Sequence, residues 1–130
     1  MNKVKNTFLI LGLVATSLVH ANADPELEKL MVTEHKTYKD FKENFQFIVG
    51  MMGKEGSGAS DGNISDSHWF CVHNQQLIKM FTNNQKYKKQ FNQEFSQELY
   101  PFDDALKGFK KFDQDQKETC ETAQVEYDKI

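Results

Sequence analysis

The sequence predicts an all-α protein, a small bundle of about four helices with one disulfide and one long Gly/Ser-rich loop. Three observations lead there. Apolar residues recur at helical spacing along most of the chain, no run of alternating β-branched residues reads as a strand, and two cysteines follow an export leader.

The leader comes first. Lys3 and Lys5 precede the apolar run Phe8 to Ala15, and the segment closes on Ala21-Asn22-Ala23 ahead of Asp24-Pro25. A charged start, a short oily stretch and small residues at the cleavage positions are the marks of a secretory signal peptide. Residues 1–23 are therefore expected to be cleaved, leaving 24–130 as a single helical domain. The apolar run is shorter than the roughly 20 residues a spanning helix needs, so no stable membrane insertion is expected after cleavage. The lysine-led start points to the Sec pathway and a periplasm. In that oxidising setting Cys71 and Cys120 are expected to pair, and closing a loop of about 50 residues stabilises a fold by roughly 4 kcal/mol.

Losing Lys3 and Lys5 leaves the mature chain two charges more acidic than the −3 of the whole sequence, and the chain contains no arginine. Nucleic acid is excluded as a partner, because phosphate and base-edge recognition rest on arginine forks and a positive field.

Asp24-Pro25-Glu26 reads as a helix cap, a first-turn proline and an acid favoured by the helix dipole. The first helix is expected to run from there to Gly50 or Gly53. Two rows of seven-residue spacing mark its buried seam: Leu27, Glu34, Phe41 and Ile48, and Met31, Tyr38, Phe45 and Met52. Only Glu34 interrupts it. From Gly53 to Asp66 the composition turns to Gly, Ser, Asp and Asn, and a flexible loop is expected. Asp66-Ser67 is expected to cap a second helix carrying Trp69, Phe70, Leu77, Ile78, Met80 and Phe81 and stopping or bending at Asn83-Asn84. Tyr87, Phe91, Phe95 and Leu99 form a helical ridge that Pro101 breaks. One last helix then starts at Phe102-Asp103-Asp104 and carries Ala105, Leu106, Phe109, Phe112, Cys120, Ala123, Tyr127 and Ile130.

Chemistry is sparse. His68, Cys71 and His73 sit close in sequence, yet position 73 lies about 200° around a helix from position 71, so the three cannot converge on one ion. Surface histidines beside a structural cystine are expected, with no metal and no cofactor. Glu34-His35 has no nucleophile attached. Asp103-Asp104 fits helix capping, and Asp113, Asp115, Glu118 and Glu121 fit a solvated face. Asp61 to Asp66 lacks the glutamate of a calcium-binding loop, where His68 stands instead. Lys86, Lys88 and Lys89 around Tyr87 read as a solvated basic patch. No nucleophile, general base in a cleft or phosphate cradle emerges, so a non-enzymatic binding protein is expected.

Phe45-Gln46-Phe47-Ile48-Val49-Gly50-Met51-Met52, followed after the loop by Trp69-Phe70-Cys71-Val72 and Gln75 to Phe81, resembles the Rap/Tai-type immunity proteins of type VI secretion systems. This chain departs from their pattern in having no cysteine before the glycine and no proline after Cys71. The resemblance implies a small periplasmic helical protein that blocks a cell-wall-degrading toxin, often as a dimer, with a loop placed in the toxin's active-site groove. A homodimer is left open. Mapped onto this chain, Glu55, Ser57, Asp61, Asn63 and Asp66 would supply polar contacts to a secreted hydrolase and Trp69 an aromatic anchor. Two other readings stay open. A periplasmic acid-stress chaperone would also be small, helical and disulfide-bonded. The junction Ala21 to Pro25 with Glu28-Lys29-Leu30-Met31 is similar to the mature start of T-even phage lysis inhibitors, which implies an antiholin.

Overall fold

The computed structural model describes residues 32–95, 97 and 100–130. Among them are five α-helices and no strand: α1 (Tyr38–Ser60), α2 (Ile64–Asn83), α3 (Lys88–Phe95), α4 (Phe102–Asp115) and α5 (Lys117–Asp128). A 3-10 turn, Gln85–Tyr87, precedes α3. The expected leader 1–23 and the expected helix start at Asp24 lie outside the described residues. No helix among the described residues is long and apolar enough to cross a membrane.

The first described helix starts later than the seam rows imply. Thr37 caps it, its side-chain oxygen accepting the Asp40 N–H at 3.1 Å, and Asp40 adds a first-turn acid. Ahead of the cap, Val32 to Lys36 form a non-helical strap, so Glu34 stands exposed there rather than in a helical seam. Asn84 pins the strap. Its amide group donates to the carbonyls of Thr33 at 2.8 Å and Met80 at 2.7 Å, and its Oδ1 accepts the His35 N–H at 3.1 Å. The Tyr87 hydroxyl donates to the His35 carbonyl at 2.7 Å, and Gln76 holds the Val32 carbonyl at 2.9 Å. Asn84 is thus more than the stop of α2: buried among backbone groups, it satisfies polar atoms that would otherwise be stranded.

The stretch from Gly53 to Asp66, expected as a flexible loop, is mostly helix. The two seam rows continue through it, Phe41 and Ile48 leading to Glu55, and Phe45 and Met52 to Ala59. Each interior glycine costs a helix about 1 kcal/mol against alanine, but here close packing outweighs propensity. A Cβ at Gly56 would lie 3.3 Å from the Phe70 ring, and one at Gly58 would lie 1.8 Å from the Asp66 carboxylate. These glycines let the end of α1 press against the start of α2. The turn itself shrinks to Asp61, Gly62 and Asn63. Gly62 takes φ +85°, its N–H reaches Ala59 O at 3.0 Å and the Asn63 N–H reaches Gly58 O at 2.9 Å, a Schellman closure. Asn63, not Asp66-Ser67, then caps α2, its Oδ1 accepting the Asp66 N–H at 2.9 Å.

Two alanine substitutions separate these effects. Nothing lies within 4 Å of a Cβ at Gly53, so Gly53→Ala is expected to stabilise by up to ~1 kcal/mol. Gly58→Ala is expected to destabilise despite the same gain in propensity, because the Asp66 side chain must move with its own Cβ 3.0 Å away. Urea unfolding of the two variants beside the parent reads both signs.

α2 is the hub, packing on α1, α4 and α5. The core is aromatic: Phe41, Phe45, Phe81, Phe91, Phe95, Phe102 and Tyr87 join Ile48, Leu77 and Met80. The expected single last helix is two, because Gln116 (φ −103°, ψ 14°) bends the chain between α4 and α5. The bend lets α4 lay Ala105, Leu106 and Phe109 on the core while α5 crosses to the first half of α2. There Cys71 and Cys120 form the expected disulfide, with Cα atoms 5.8 Å apart. Ile130, expected on the apolar face, is 86 % exposed.

Candidate functional site

The residues singled out in the sequence fall at one end of the molecule, around the α1–α2 turn and the α5 face beside it. Ser57, Asp61 and Asn63 are exposed there, whereas Asp66 and Trp69 are half-buried. Trp69 is not a free anchor: its ring is tilted against His73 at 5.8 Å and meets Tyr127 edge-on at 6.0 Å. Glu55, expected to be exposed, is buried, because in a continuing α1 it occupies the seam position one heptad after Ile48.

Across the α1–α2 contact Glu55 meets His73, Oε1 to Nδ1 at 2.5 Å. Both side chains are almost wholly buried, and Glu55 Oε2 and His73 Nε2 have no hydrogen-bond partner. Burial, reinforced by the nearby Asp66 charge, pushes the Glu55 carboxyl up to about 7. Burial pulls His73 below its usual range. The pair therefore favours a neutral acid bonded to a neutral imidazole over a bare carboxylate. His68, expected at the surface, is buried as well, stacked on Tyr127 with ring centres 4.3 Å apart.

A carboxylate–imidazole pair can orient a general base, but His73 Nε2, the atom that would take a proton from a substrate, is buried. Neither residue lines the grooves on the two sides of the disulfide. The geometry makes the pair a clamp between α1 and α2. Its pH dependence has a definite sign. A carboxyl raised from 4.5 to about 7 contributes stability present below about pH 4.5 and lost as pH rises through 7. Glu55→Gln removes that loss while keeping a hydrogen bond to His73. The variant is expected to gain on the order of 3 kcal/mol over the parent above pH 7, with the gain fading towards pH 4.5. Urea unfolding between pH 4.5 and 8.5 measures it, and parallel curves would contradict it. His73 contributes with the opposite sign, its stabilisation present above pH 6.5 and lost as pH falls through its lowered value.

A third buried histidine, His35, belongs to the strap, its Nε2 2.9 Å from the Asn44 amide. Burial lowers its pKa, with the Asp40 charge opposing. Neither histidine was legible as buried: the sequence placed His35 within the expected first helix beside Glu34, where the structure has the strap, and His73 at the surface.

Several of the remaining charged groups have local partners. Lys88 pairs with Asp103 at 2.9 Å, Lys86 lies over the Tyr87 ring at 5.1 Å, and Asp103 and Asp104 occupy the first turn of α4. No group of three or more His, Cys, Asp or Glu side chains able to hold a metal ion occurs among the described residues.

Charge is unevenly distributed over this frame. The segment from Glu55 to Ile78 contains no lysine, and neither does the segment from Glu118 to Asp128. The first carries Asp61 and Asp66 and makes the α1–α2 turn acidic, while Lys86, Lys88 and Lys89 cluster at the start of α3.

Comparison with protein-family models, curated proteins and solved structures finds no match to this chain. The junction similar to phage lysis inhibitors, 21–31, lies outside the described residues.

Proposed function

We propose that this chain is an exported, non-enzymatic binding protein of the periplasm, an inhibitor that neutralises a cell-wall-targeting toxin. The α1–α2 turn carries the proposal. Ser57, Asp61 and Asn63 stand exposed on a turn whose backbone is closed by the Schellman bonds on one side and the Asn63 cap on the other. A contact surface held in place this way loses little conformational freedom on binding. Its acidic character suits a cationic groove on a secreted hydrolase, steering encounter as well as holding it. The cystine suits an oxidising compartment.

The test is a cell-wall hydrolysis assay with purified secreted peptidoglycan hydrolases, beginning with any that a neighbouring gene encodes. Adding the purified protein is expected to abolish hydrolysis near one-to-one stoichiometry, and Asp61→Lys is expected to weaken inhibition about tenfold or more by placing like charges together. Unchanged hydrolysis at large molar excess would sink the proposal.

A second reading is favoured by one observation: His35 and His73 are both buried with lowered pKa values. Acid would charge them inside the fold, loosen it and expose the aromatic core to client proteins, as in an acid-stress chaperone. Apolar-dye binding rising steeply below about pH 5 with secondary structure retained would favour that reading; flat dye binding down to pH 3 would dismiss it.

A further inference from the structure

The α1–α2 turn carries a further motif. Asn63-Ile64-Ser65 is the only Asn-x-Ser or Asn-x-Thr triplet in the chain, and its middle residue is not proline. In an exported protein such a triplet accepts sugar on the asparagine amide when it lies at the surface. The fold puts it there. Asn63 is exposed on the turn, Ile64 is 39 % exposed, and Ser65 is half-buried in the first turn of α2.

The side-chain geometry leaves the reacting atom free. Asn63 caps α2 through Oδ1, which accepts the Asp66 N–H, whereas its Nδ2 makes no hydrogen bond among the described residues. An amide substituted at nitrogen keeps its carbonyl oxygen, so the sugar and the cap are compatible. The Ser65 hydroxyl, the second group a transferase reads, is likewise without a hydrogen bond among the described residues. To be read, the triplet must be drawn out of the helix, and that opening is local. It breaks the cap bond and the bonds from the Ser67 N–H and hydroxyl to the Asn63 carbonyl, both at 3.0 Å. The N–H groups of Ile64 and Ser65, in the first turn, have no carbonyl of α2 to give up.

We propose that Asn63 is a glycosylation site, modified after export by a membrane transferase that takes its sugar from a lipid-linked diphosphate. Nδ2 attacks the anomeric carbon. The carbon–nitrogen bond forms as the bond from that carbon to the diphosphate oxygen breaks, the diphosphate leaves with the electron pair, and the amide gives one proton to solvent. Asp61, exposed two residues ahead, adds a carboxylate for a cationic site on the enzyme to grip. The inference rests only on the export part of the reading above. A sugar here covers the turn offered to the hydrolase, so the modified form is expected to inhibit about tenfold less well than the unmodified one.

The experiment is mass spectrometry of the protein isolated from its own cells, beside variants made in the same cells. No lysine stands between Lys54 and Lys79, so trypsin after reduction releases the triplet in one peptide, residues 55–79. That peptide is expected to carry the mass of an oligosaccharide on Asn63. Ser65→Ala is expected to lose the added mass, Ser65→Thr to keep it, and Asp61→Asn to lower its occupancy. Ser65→Ala and Ser65→Thr are expected to unfold as the parent does, since the Ser65 hydroxyl bonds nothing in the fold. Ser65→Ala also supplies the unmodified form for the inhibition assay.

An unmodified peptide in a chain cleaved after Ala23, added mass on another residue, or the same mass in Ser65→Ala would each overturn the proposal. An uncleaved chain without sugar would overturn it together with the export reading. If the sugar is found on Asn63 but neither the parent nor Ser65→Ala inhibits any hydrolase, the site stands and the inhibitor reading falls.

Discussion

Replacing Phe81 by alanine is expected to cost about 3–5 kcal/mol, the range for deleting a fully buried aromatic ring. Phe81 has no exposed surface and sits where four elements converge. Its ring stacks on Phe102 at 4.5 Å and approaches Phe41 and Phe45 at 5.5 Å, Phe91 at 5.4 Å and Phe109 at 5.2 Å. These partners come from α1, α3 and α4, while Phe81 itself belongs to α2. The cavity left behind would be walled by rigid rings with little room to collapse, which places the cost towards the upper part of the range. Since small domains have only about 5–15 kcal/mol of net stability, the variant is expected to unfold partly at physiological temperature. Val125→Ala on the exposed side of α5 is the comparison, with an expected change within about 0.5 kcal/mol. Equal urea midpoints for the two variants would contradict this picture of the core.

Removing the cystine, by Cys71→Ser with Cys120→Ser or by reduction, is expected to lower unfolding free energy by about 4 kcal/mol, for a chain separation of 49 residues. The structure adds where the loss falls. Ala123 is the only residue of α5 that is buried, so α5 has little apolar hold on α2 beyond Tyr127 stacking on His68. Without the bond α5 is expected to detach before the rest, in a separate low-denaturant step, while the aromatic core survives. Denaturation with and without reductant, followed by far-ultraviolet circular dichroism and by fluorescence of the sole tryptophan, Trp69 against Tyr127, reads both steps. A reduced protein with an unchanged, single transition would refute it.

How far the sequence carried depended on the kind of signal. Aromatic and aliphatic periodicity located the core: Phe41, Phe45, Ile48, Phe81, Phe91 and Phe102 are buried as their spacing required. Punctuation residues were legible too, with α2 ending at Asn83 and α4 starting after Pro101. Glycine misled. Gly53, Gly56 and Gly58 read as a loop because propensity was weighed locally, whereas two of them serve a helix–helix contact that only the folded pair reveals. The signal that could have corrected this was present in the heptad row itself, since Phe41 and Ile48 point to Glu55. That misreading also placed Glu55 on the surface and concealed its pairing with His73. Asn84 was read as a helix end, and its hold on the strap depends on contacts about fifty residues away in sequence. The bend at Gln116, which sends Cys120 to Cys71, has no glycine or proline to announce it.

The account depends most on the Gly-rich segment being a fixed helical arm, since the exposed turn that ends in Asn63 is built on it. Hydrogen exchange of the backbone amides from Glu55 to Ser60 tests this directly in the oxidised protein at neutral pH. The account predicts slow exchange through Ser60, approaching that of the interior of α2, and faster exchange at the turn. Exchange of all these amides at the rate of an unstructured peptide would contradict it, and with it the shape of the proposed binding end.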